Sequence, residues 1–234
     1  MHRLLFLSSV IAVVFVASST ATAPPQLPVS DLLTAAGHVT LLHSGVTYGA
    51  SQFPLQLRVT PPDGSWSGAQ WKTARLIGGR GGPPIFGWAA VAQGPRLSPP
   101  KGLIVIMTAE ARTPSLAATV AGLRSRGHGA SYEASSPTRV AGFSGVQFDG
   151  RLVGTKHLFV PFSPPSNAGG AYPGIRDAFQ IGGEVGGSVF RVIVLNVRGK
   201  TVVVYLENAA LPADQFPTFL VAANQVLRSL RFTG

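Results

Sequence analysis

The chain has 234 residues, of which 45% are hydrophobic and 12% charged, with a formal net charge of +10 and no cysteine. A chain this apolar is not intrinsically disordered, and the lack of cysteine excludes disulfide bonds and thiolate metal ligands. The basic residues are scattered and form no run of about five to eight, which is the pattern of a nucleic-acid patch. We therefore expect a folded protein that does not bind nucleic acid.

The first residues have the pattern of an export signal. His2 and Arg3 precede an apolar run over residues 4–17, and small residues follow up to Ala23. A membrane span needs about 20 apolar residues, more than this run has. We predict a signal peptide over residues 1–21 in preference to a retained anchor helix, and hence a secreted or envelope-associated protein without a stable span.

The positive charge indicates what an exported protein of this kind could meet. Its partners would be other proteins or anionic envelope components such as lipid headgroups and acidic wall polymers. The densest groupings, at 72–80 and 124–126, are too sparse to focus a strong field, so a purely solubilising role for the charge is the simpler interpretation. The predicted partner is an unidentified protein or an anionic envelope component.

The amino-terminal part of the mature chain is predicted to be extended. Residues 22–30 are proline-rich and form a leader ahead of one domain over residues 31–234. Strands are predicted at 38–44 and 53–60, the second because its apolar residues alternate. The Pro-Pro-Asp-Gly sequence at 61–64 predicts a turn.

The middle of the chain alternates between helical and strand patterns. Residues 67–76 favour a short helix, and the glycine-rich segment 78–84 is a loop. Residues 85–92 and 103–109 are apolar enough for strands that are buried on both faces. The Thr-Pro-Ser opening and the apolar spacing that follows predict a helix over 113–127.

Two hairpins are predicted further on. The Asp-Gly dipeptide at 149–150 is typical of a tight turn and places a hairpin within 145–153. A second turn at 198–200 joins strands at 189–197 and 201–207. Both of these strands carry apolar residues on both faces, so they need cover above and below, and we expect helices on both faces of the sheet.

The last segment is an amphipathic helix that starts at Pro212, followed by a short strand over 230–232. Its apolar residues recur at helical spacing on one stripe: Phe216, Phe219, Leu220, Ala223, Val226 and Leu227. The stretch 164–187 is rich in Gly, Pro, Ser and Asn and is the longest candidate loop, which is a common location for binding residues.

This order of elements resembles the Mog1/PsbP-like fold, particularly its exported actinobacterial members of the LpqN type. The similarity rests on the strand and capped helix GLIVIMTAEARTPSLAATVAGLRSR, on AGFSGVQFDG, and most strongly on residues 190–232. It implies an α+β single domain, with a central mostly antiparallel sheet and helices on both faces, and a role in binding. The chain lacks the lipidation cysteine of the LpqN type, which removes that means of membrane tethering.

The sequence contains no complete catalytic or cofactor motif. Ser144 approaches the Gly-x-Ser-x-Gly elbow, but Val146 occupies the second glycine position. The glycine-rich loops lack the Lys-Ser/Thr of a phosphate loop, and no His-x-x-x-His occurs. We predict a non-catalytic protein without cofactor or metal. A hydrolase whose site is assembled from distant residues remains the less favoured alternative.

Aromatic residues give the best candidates for ligand contact. Trp66 and Trp71 flank a Gly- and Ser-rich segment, Arg75 follows them, and Tyr172 lies in the long loop. Tryptophan offers a large apolar area and arginine offers paired donors, so this set could bind an apolar or anionic ligand. Small-molecule or lipid binding is therefore the second functional hypothesis, while the competing interpretation of Trp66 is a structural residue at the edge of the core.

Overall fold

The computed structural model describes eleven stretches of the chain and a few further residues. The stretches are 22–30, 40–51, 53, 55–71, 85–93, 102–109, 130–152, 157–158, 180–181, 189–207 and 212–233. The further residues are the helical positions 116–117, 120–121 and 124.

Fifteen strands and a carboxy-terminal helix lie within these residues. The helix spans Phe216–Ser229 and follows a 3₁₀ turn at Ala213–Gln215. The strands are β1 Val29–Ser30, β2 Thr40–Leu41, β3 Tyr48–Ala50, β4 Leu57–Val59, β5 Trp66–Trp71, β6 Ile85–Gln93, β7 Gly102–Ala109, β8 Ala130–Tyr132, β9 Ser136–Val140, β10 Phe143–Leu152, β11 His157–Leu158, β12 Gln180–Ile181, β13 Val189–Val197, β14 Lys200–Glu207 and β15 Arg231–Phe232.

The described strands form one large sheet and two small ones. The large sheet has the order β1-β5-β6-β7-β14-β13-β10-β8, with β2 also on β5 and β9 also on β10. A three-stranded sheet has the order β15-β4-β3, and β11 pairs with β12. Of the described strand pairs, β1 with β5 is parallel and the others are antiparallel. The predicted mostly antiparallel sheet is therefore confirmed.

The β13–β14 hairpin lies in the middle of the large sheet and is buried on both faces, as predicted. Its turn at Arg198 and Gly199 has φ angles of 53° and 79°, the positive values of a two-residue hairpin loop. One face of the hairpin packs against the carboxy-terminal helix in the main core. Buried residues of the opposite face, which we call the second face, are Val105, Phe148, Phe190, Val192, Val194, Val203 and Tyr205.

The turn predicted at Asp149-Gly150 is wrong, because β10 runs unbroken through both residues. The hairpin turns earlier, at Ala141 and Gly142, where φ is 53° and 85°. Two contacts hold residues 149 and 150 in the strand. Arg191 of β13 donates from Nε and Nη2 to the two carboxylate oxygens of Asp149 at 2.6 and 2.7 Å. A Cβ at position 150 would lie 2.4 Å from the ring of Phe190, so this strand position needs glycine.

The helix predicted over 67–76 is also wrong for the residues that the structure describes. Residues 66–71 form β5, which has β6 on one side and β1 and β2 on the other. Trp66, Ser67 and Gln70 are all fully buried. Pairing on both edges and burial of consecutive residues outweigh the weak helical preference of this segment. Residues 72–76 lie outside the described residues.

The strand predicted at 53–60 is shorter than expected, although its pattern of burial is correct. Leu57 and Val59 are buried and Arg58 between them is exposed, as the alternation predicted. Gln56 has a φ of 45°, which interrupts extended backbone and delays the start of β4. Phe53 and Leu55 nevertheless join the core from the turn that precedes the strand.

Several other predicted elements agree with the structure where it describes them. Strands β6 and β7 occupy the predicted ranges, and β2 covers two residues of the range predicted for the first strand. The described positions between 116 and 124 are helical. The carboxy-terminal helix buries Phe216, Phe219, Ala223, Val226 and Leu227 as predicted. The last strand pairs with β4 in the three-stranded sheet and does not lie at the edge of the large sheet.

The leader over residues 22–30 is extended and connects the two larger sheets. Leu27 N–H donates to Gly49 O on β3 at 2.8 Å, and Gly49 N–H donates to Pro25 O at the same distance. The chain then continues as β1 and pairs with β5, where Gln70 N–H donates to Pro28 O at 2.9 Å. The side chain of Leu27 lies in the core with 1% exposure. The signal segment, the loop at 78–84 and most of 164–187 lie outside the described residues.

Candidate functional site

A groove lies between the β9–β10 edge of the large sheet and the carboxy-terminal helix. Its volume is about 290 Å³, near the lower end of the roughly 300–1,000 Å³ that is usual for small-molecule sites. Strands β9, β10 and β13 supply one side and the last turns of the helix supply the other. The lining residues of this β9–helix groove are Thr138, Arg139, Val140, Ala141, Gln147, Ile193, Asn224, Leu227 and Arg228.

The groove combines an apolar base with a basic rim. Val140, Ile193 and Leu227 are buried members of the main core. Arg139 and Arg228 are exposed and approach the groove from opposite elements. Such a site favours a ligand with both an apolar part and a negative charge.

The two rim arginines are positioned by their local structure. Arg139 Nε donates to Gly142 O at 3.1 Å, which holds its side chain at the β9–β10 turn. Arg228 lies in the last turn of the helix, where the helix dipole favours a positive charge. Neither guanidinium group forms a salt bridge with an acidic side chain among the described residues. Both are therefore available to an anion at the groove.

Basic residues continue from the groove onto the three-stranded sheet. Arg231 donates from Nη1 to the carbonyl oxygens of Arg228 and Leu230 at 2.8 and 2.7 Å. Directly across the strand pair, Arg231 faces Arg58, and like charges in that relation destabilise a sheet. Both residues are exposed, and within the described part of the chain neither has an acidic partner. We call Arg58, Arg139, Arg228 and Arg231 the arginine face.

An aromatic cluster covers part of the second face of the sheet. The ring of Tyr132 lies 5.7 Å from that of Phe148 and 6.0 Å from that of Phe190, both edge-on. The guanidinium of Arg124, on a helical residue, lies 5.9 Å from the Tyr132 ring centroid and 5.5 Å from that of Phe148. Arg124 also donates to the carbonyl oxygen of Glu133. The cluster holds the Arg124 side chain against the second face.

The two tyrosines on this face are held in their neutral form. Burial raises the pKa of Tyr132 to about 12, although the charge of Arg124 opposes the shift. Burial, and secondly the charge and hydrogen bond of Glu207, raise the pKa of Tyr205 well above its ordinary value. The Tyr132 hydroxyl has no hydrogen-bond partner among the described residues. Both phenols therefore carry no charge at neutral pH.

Of the four ligand-contact residues predicted from the sequence, the structure describes Trp66 and Trp71, both on β5. Trp66 is fully buried, and its ring lies 6.5 Å from that of Phe219 in the main core. This is the structural alternative that the sequence left open for Trp66. Trp71 ends β5, and its position in the strand pair is opposite Trp88 of β6. Arg75 and Tyr172 lie outside the described residues.

The β9–helix groove could not be found from sequence spacing. Its lining comes from three strands and a helix, spread between residues 138 and 228. The one sequence signal is Arg228 in the Leu-Arg-Ser-Leu-Arg-Phe segment at 227–232, and an arginine there also fits a helix terminus. The other lining residues are distant in sequence and come together only in the folded chain.

The described stretches contain no group of three or more His, Asp or Glu residues close enough to hold a metal ion. No helix within them is both long and apolar enough to cross a bilayer.

Comparison with known proteins gives one structural similarity. No known protein family matches the sequence, and no curated protein matches it either. The chain is similar in fold to the solution structure of cyanobacterial PsbP (CyanoP) from Synechocystis sp. PCC 6803, with a TM-score of 0.44 and 15% identity over 80% of this chain and 93% of that chain. A TM-score this low supports no inference about family, ligand or function. Membership of the LpqN-type branch stays a prediction.

Proposed function

We propose that this protein is an exported, non-catalytic binding module that engages an anionic component of the cell envelope. The observation that carries the proposal is the arginine face, which borders a groove and has no acidic partner among the described residues. Arginine binds carboxylate and phosphate through paired donors, and its weak hydration suits interfaces. A protein partner with an acidic surface is the alternative.

The pairing of Arg58 with Arg231 supports this proposal most directly. Two like charges placed opposite each other on neighbouring strands cost stability unless something else uses them. Arg231 has a structural use, because it satisfies carbonyl groups at the end of the helix. Among the described residues, the Arg58 side chain forms no hydrogen bond or ion pair. We therefore infer that it binds an external anion.

The absence of catalysis is part of the proposal and has its own support. The described groups with shifted pKa values keep the charge that they ordinarily carry at neutral pH. Tyr132 and Tyr205 stay neutral because their pKa values are raised. Arg191 stays charged because its hydrogen bond to Asp149 raises its pKa. None of these groups is tuned to exchange a proton near neutral pH.

Three finer predictions also belong to this proposal. A second layer of helix would cover the second face, which the contact of Arg124 with the Tyr132 and Phe148 rings supports. Removal of residues 1–21 would release the mature chain outside the cytoplasm. Membership of the exported actinobacterial LpqN-type branch would accord with a binding role and with the missing lipidation cysteine.

The test is co-sedimentation of residues 22–234 with lipid vesicles. We expect binding to vesicles that contain phosphatidylglycerol and none to pure phosphatidylcholine, with affinity falling as salt rises. A basic residue near an anionic surface contributes about 1 kcal/mol, so Arg58→Gln should weaken binding about fivefold. Arg198→Gln removes the same charge from an exposed turn outside the arginine face and is the matched control. Equal sedimentation with both vesicle types would exclude an anionic lipid as the partner.

A further inference from the structure

We infer that the β9–helix groove is a binding site for a phosphate monoester that carries a short apolar group. The inference rests on the proposed function, because it names the chemistry that the arginine face would select. It differs from general attraction to an anionic surface in requiring both the basic rim and the apolar base of the groove. Each of these two parts predicts a separate effect on binding.

The charge of the rim matches a phosphate monoester better than a carboxylate. Arg139 and Arg228 bring two positive charges to one groove from facing elements, with no acidic residue in its lining. A phosphate monoester carries a charge of about −1.5 to −2 at neutral pH and three strong acceptor oxygens. Two guanidinium groups would therefore be balanced by one such ligand.

The remaining polar residues of the lining suit the same ligand. Thr138, Gln147 and Asn224 carry hydroxyl or amide donors, which a phosphate with three oxygens can use beside the two arginines. Gln147 is partly exposed and Asn224 is exposed, so both can be reached from solvent. These groups sit on β9, β10 and the helix, so both sides of the groove supply polar donors.

The base of the groove explains why the ligand should have an apolar part. Val140, Ile193 and Leu227 contribute buried apolar surface there. The groove volume of about 290 Å³ is close to the roughly 300 Å³ at which the usual range of small-molecule sites begins. This exceeds a phosphate group alone and leaves space for a short alkyl chain.

The same chemistry could come from a soluble metabolite or from a lipid headgroup. Phosphatidic acid is the lipid that presents a phosphate monoester, whereas phosphatidylglycerol presents a diester. Comparing soluble butyl phosphate with vesicles of each lipid therefore distinguishes the two sources.

The experiment is a titration of residues 22–234 followed by NMR, with butyl phosphate, inorganic phosphate and 1-butanol as probes. We expect butyl phosphate to bind at least about tenfold more tightly than either of the others, because one alkyl group and one charged group each contribute. The methyl signals of Ile193 and Leu227 should shift with butyl phosphate. Equal affinity for butyl phosphate and inorganic phosphate would overturn the inference, since the apolar base would then be unused.

Matched arginine substitutions separate a specific site from general charge. Arg139→Gln and Arg228→Gln should each weaken butyl phosphate binding about tenfold or more, because each removes a charge-assisted hydrogen bond. Arg198→Gln should leave it unchanged. An equal loss of affinity in all three variants would show non-specific charge attraction and would overturn the inference that the groove is the binding site. Thermal unfolding checks that every variant is folded.

The results also separate this inference from the proposed function. If vesicles with phosphatidylglycerol bind through Arg58 while butyl phosphate does not bind, the groove inference is wrong and the envelope function stands. If butyl phosphate binds but neither phosphatidylglycerol nor phosphatidic acid vesicles do, the groove is a site for a soluble ligand and an anionic lipid is excluded as the envelope partner.

Discussion

The ring of Phe219 lies directly over Gly102. Phe219 belongs to the carboxy-terminal helix and Gly102 begins β7, and a Cβ built on Gly102 would be 2.1 Å from Cε2 of that ring. Both residues are buried, and Phe219 also packs near Trp66. The missing side chain at position 102 therefore lets the helix sit close to the sheet, and this helix supplies one wall of the β9–helix groove.

Gly102→Ala should destabilise the protein because the added methyl group displaces the Phe219 ring. Overpacking of a well-packed core costs about 1–3 kcal/mol, and the loss should appear as a lower midpoint in urea unfolding. Gly64→Ala is the control, since a Cβ there meets nothing within 4 Å. Equal midpoints for the two variants would show that the ring moves aside without cost.

The leader should be part of the folding unit. Leu27 has 1% exposure and lies where the leader passes from the three-stranded sheet to the large sheet. Leu27→Ala should lower the free energy of unfolding by about 2–5 kcal/mol through the lost burial and the cavity left behind.

An exposed leucine provides the comparison for this substitution. Leu41→Ala removes the same atoms from a side chain that is 49% exposed and should change stability by less than about 1 kcal/mol. If Leu27→Ala were as mild as Leu41→Ala, the leader would contribute little to the fold despite its contacts.

The ion pair between Arg191 and Asp149 should contribute through its geometry. Both oxygens of Asp149 accept from the one guanidinium group, and the side chains are 21% and 24% exposed. A double-mutant cycle with Asp149→Asn and Arg191→Gln should give a coupling energy near the top of the range for exposed pairs, about 1 kcal/mol. A coupling indistinguishable from zero would mean that the two strands hold their register without this pair.

The same residues show why one sequence prediction failed. Asp-Gly is a strong local signal for a hairpin, but here Asp149 has a partner on β13 and Gly150 accommodates the ring of Phe190. Neither partner is near in sequence, so a local pattern could not reveal them. The Arg198-Gly199 turn was predicted correctly because local signal and strand pairing agree there.

The sequence predicted the elements of the fold better than it predicted the candidate site. Continuous apolar runs identified β6, β7, β13 and β14, and helical spacing identified the carboxy-terminal helix. Burial then removed Trp66 from the set of accessible ligand contacts. The groove depends on Arg139 and Arg228 meeting across a helix–sheet interface, and residue spacing carries no information about that distance.

Tyr132 should make stability depend on pH in the alkaline range. Burial raises its pKa from 10.0 to about 12 in the folded protein. Between these values the unfolded chain has lost the phenolic proton while the folded chain retains it, so the unfolded state binds fewer protons and stability falls as pH rises. The contribution of Tyr132 to the free energy of unfolding is complete below pH 10 and is lost progressively towards pH 12.

Tyr132→Phe should flatten this decline in unfolding experiments. The raised pKa of Tyr205 should leave a remaining pH dependence of the same sign. Ultraviolet titration of the phenolate absorbance gives an independent check, and a Tyr132 that titrates near 10 would contradict its burial.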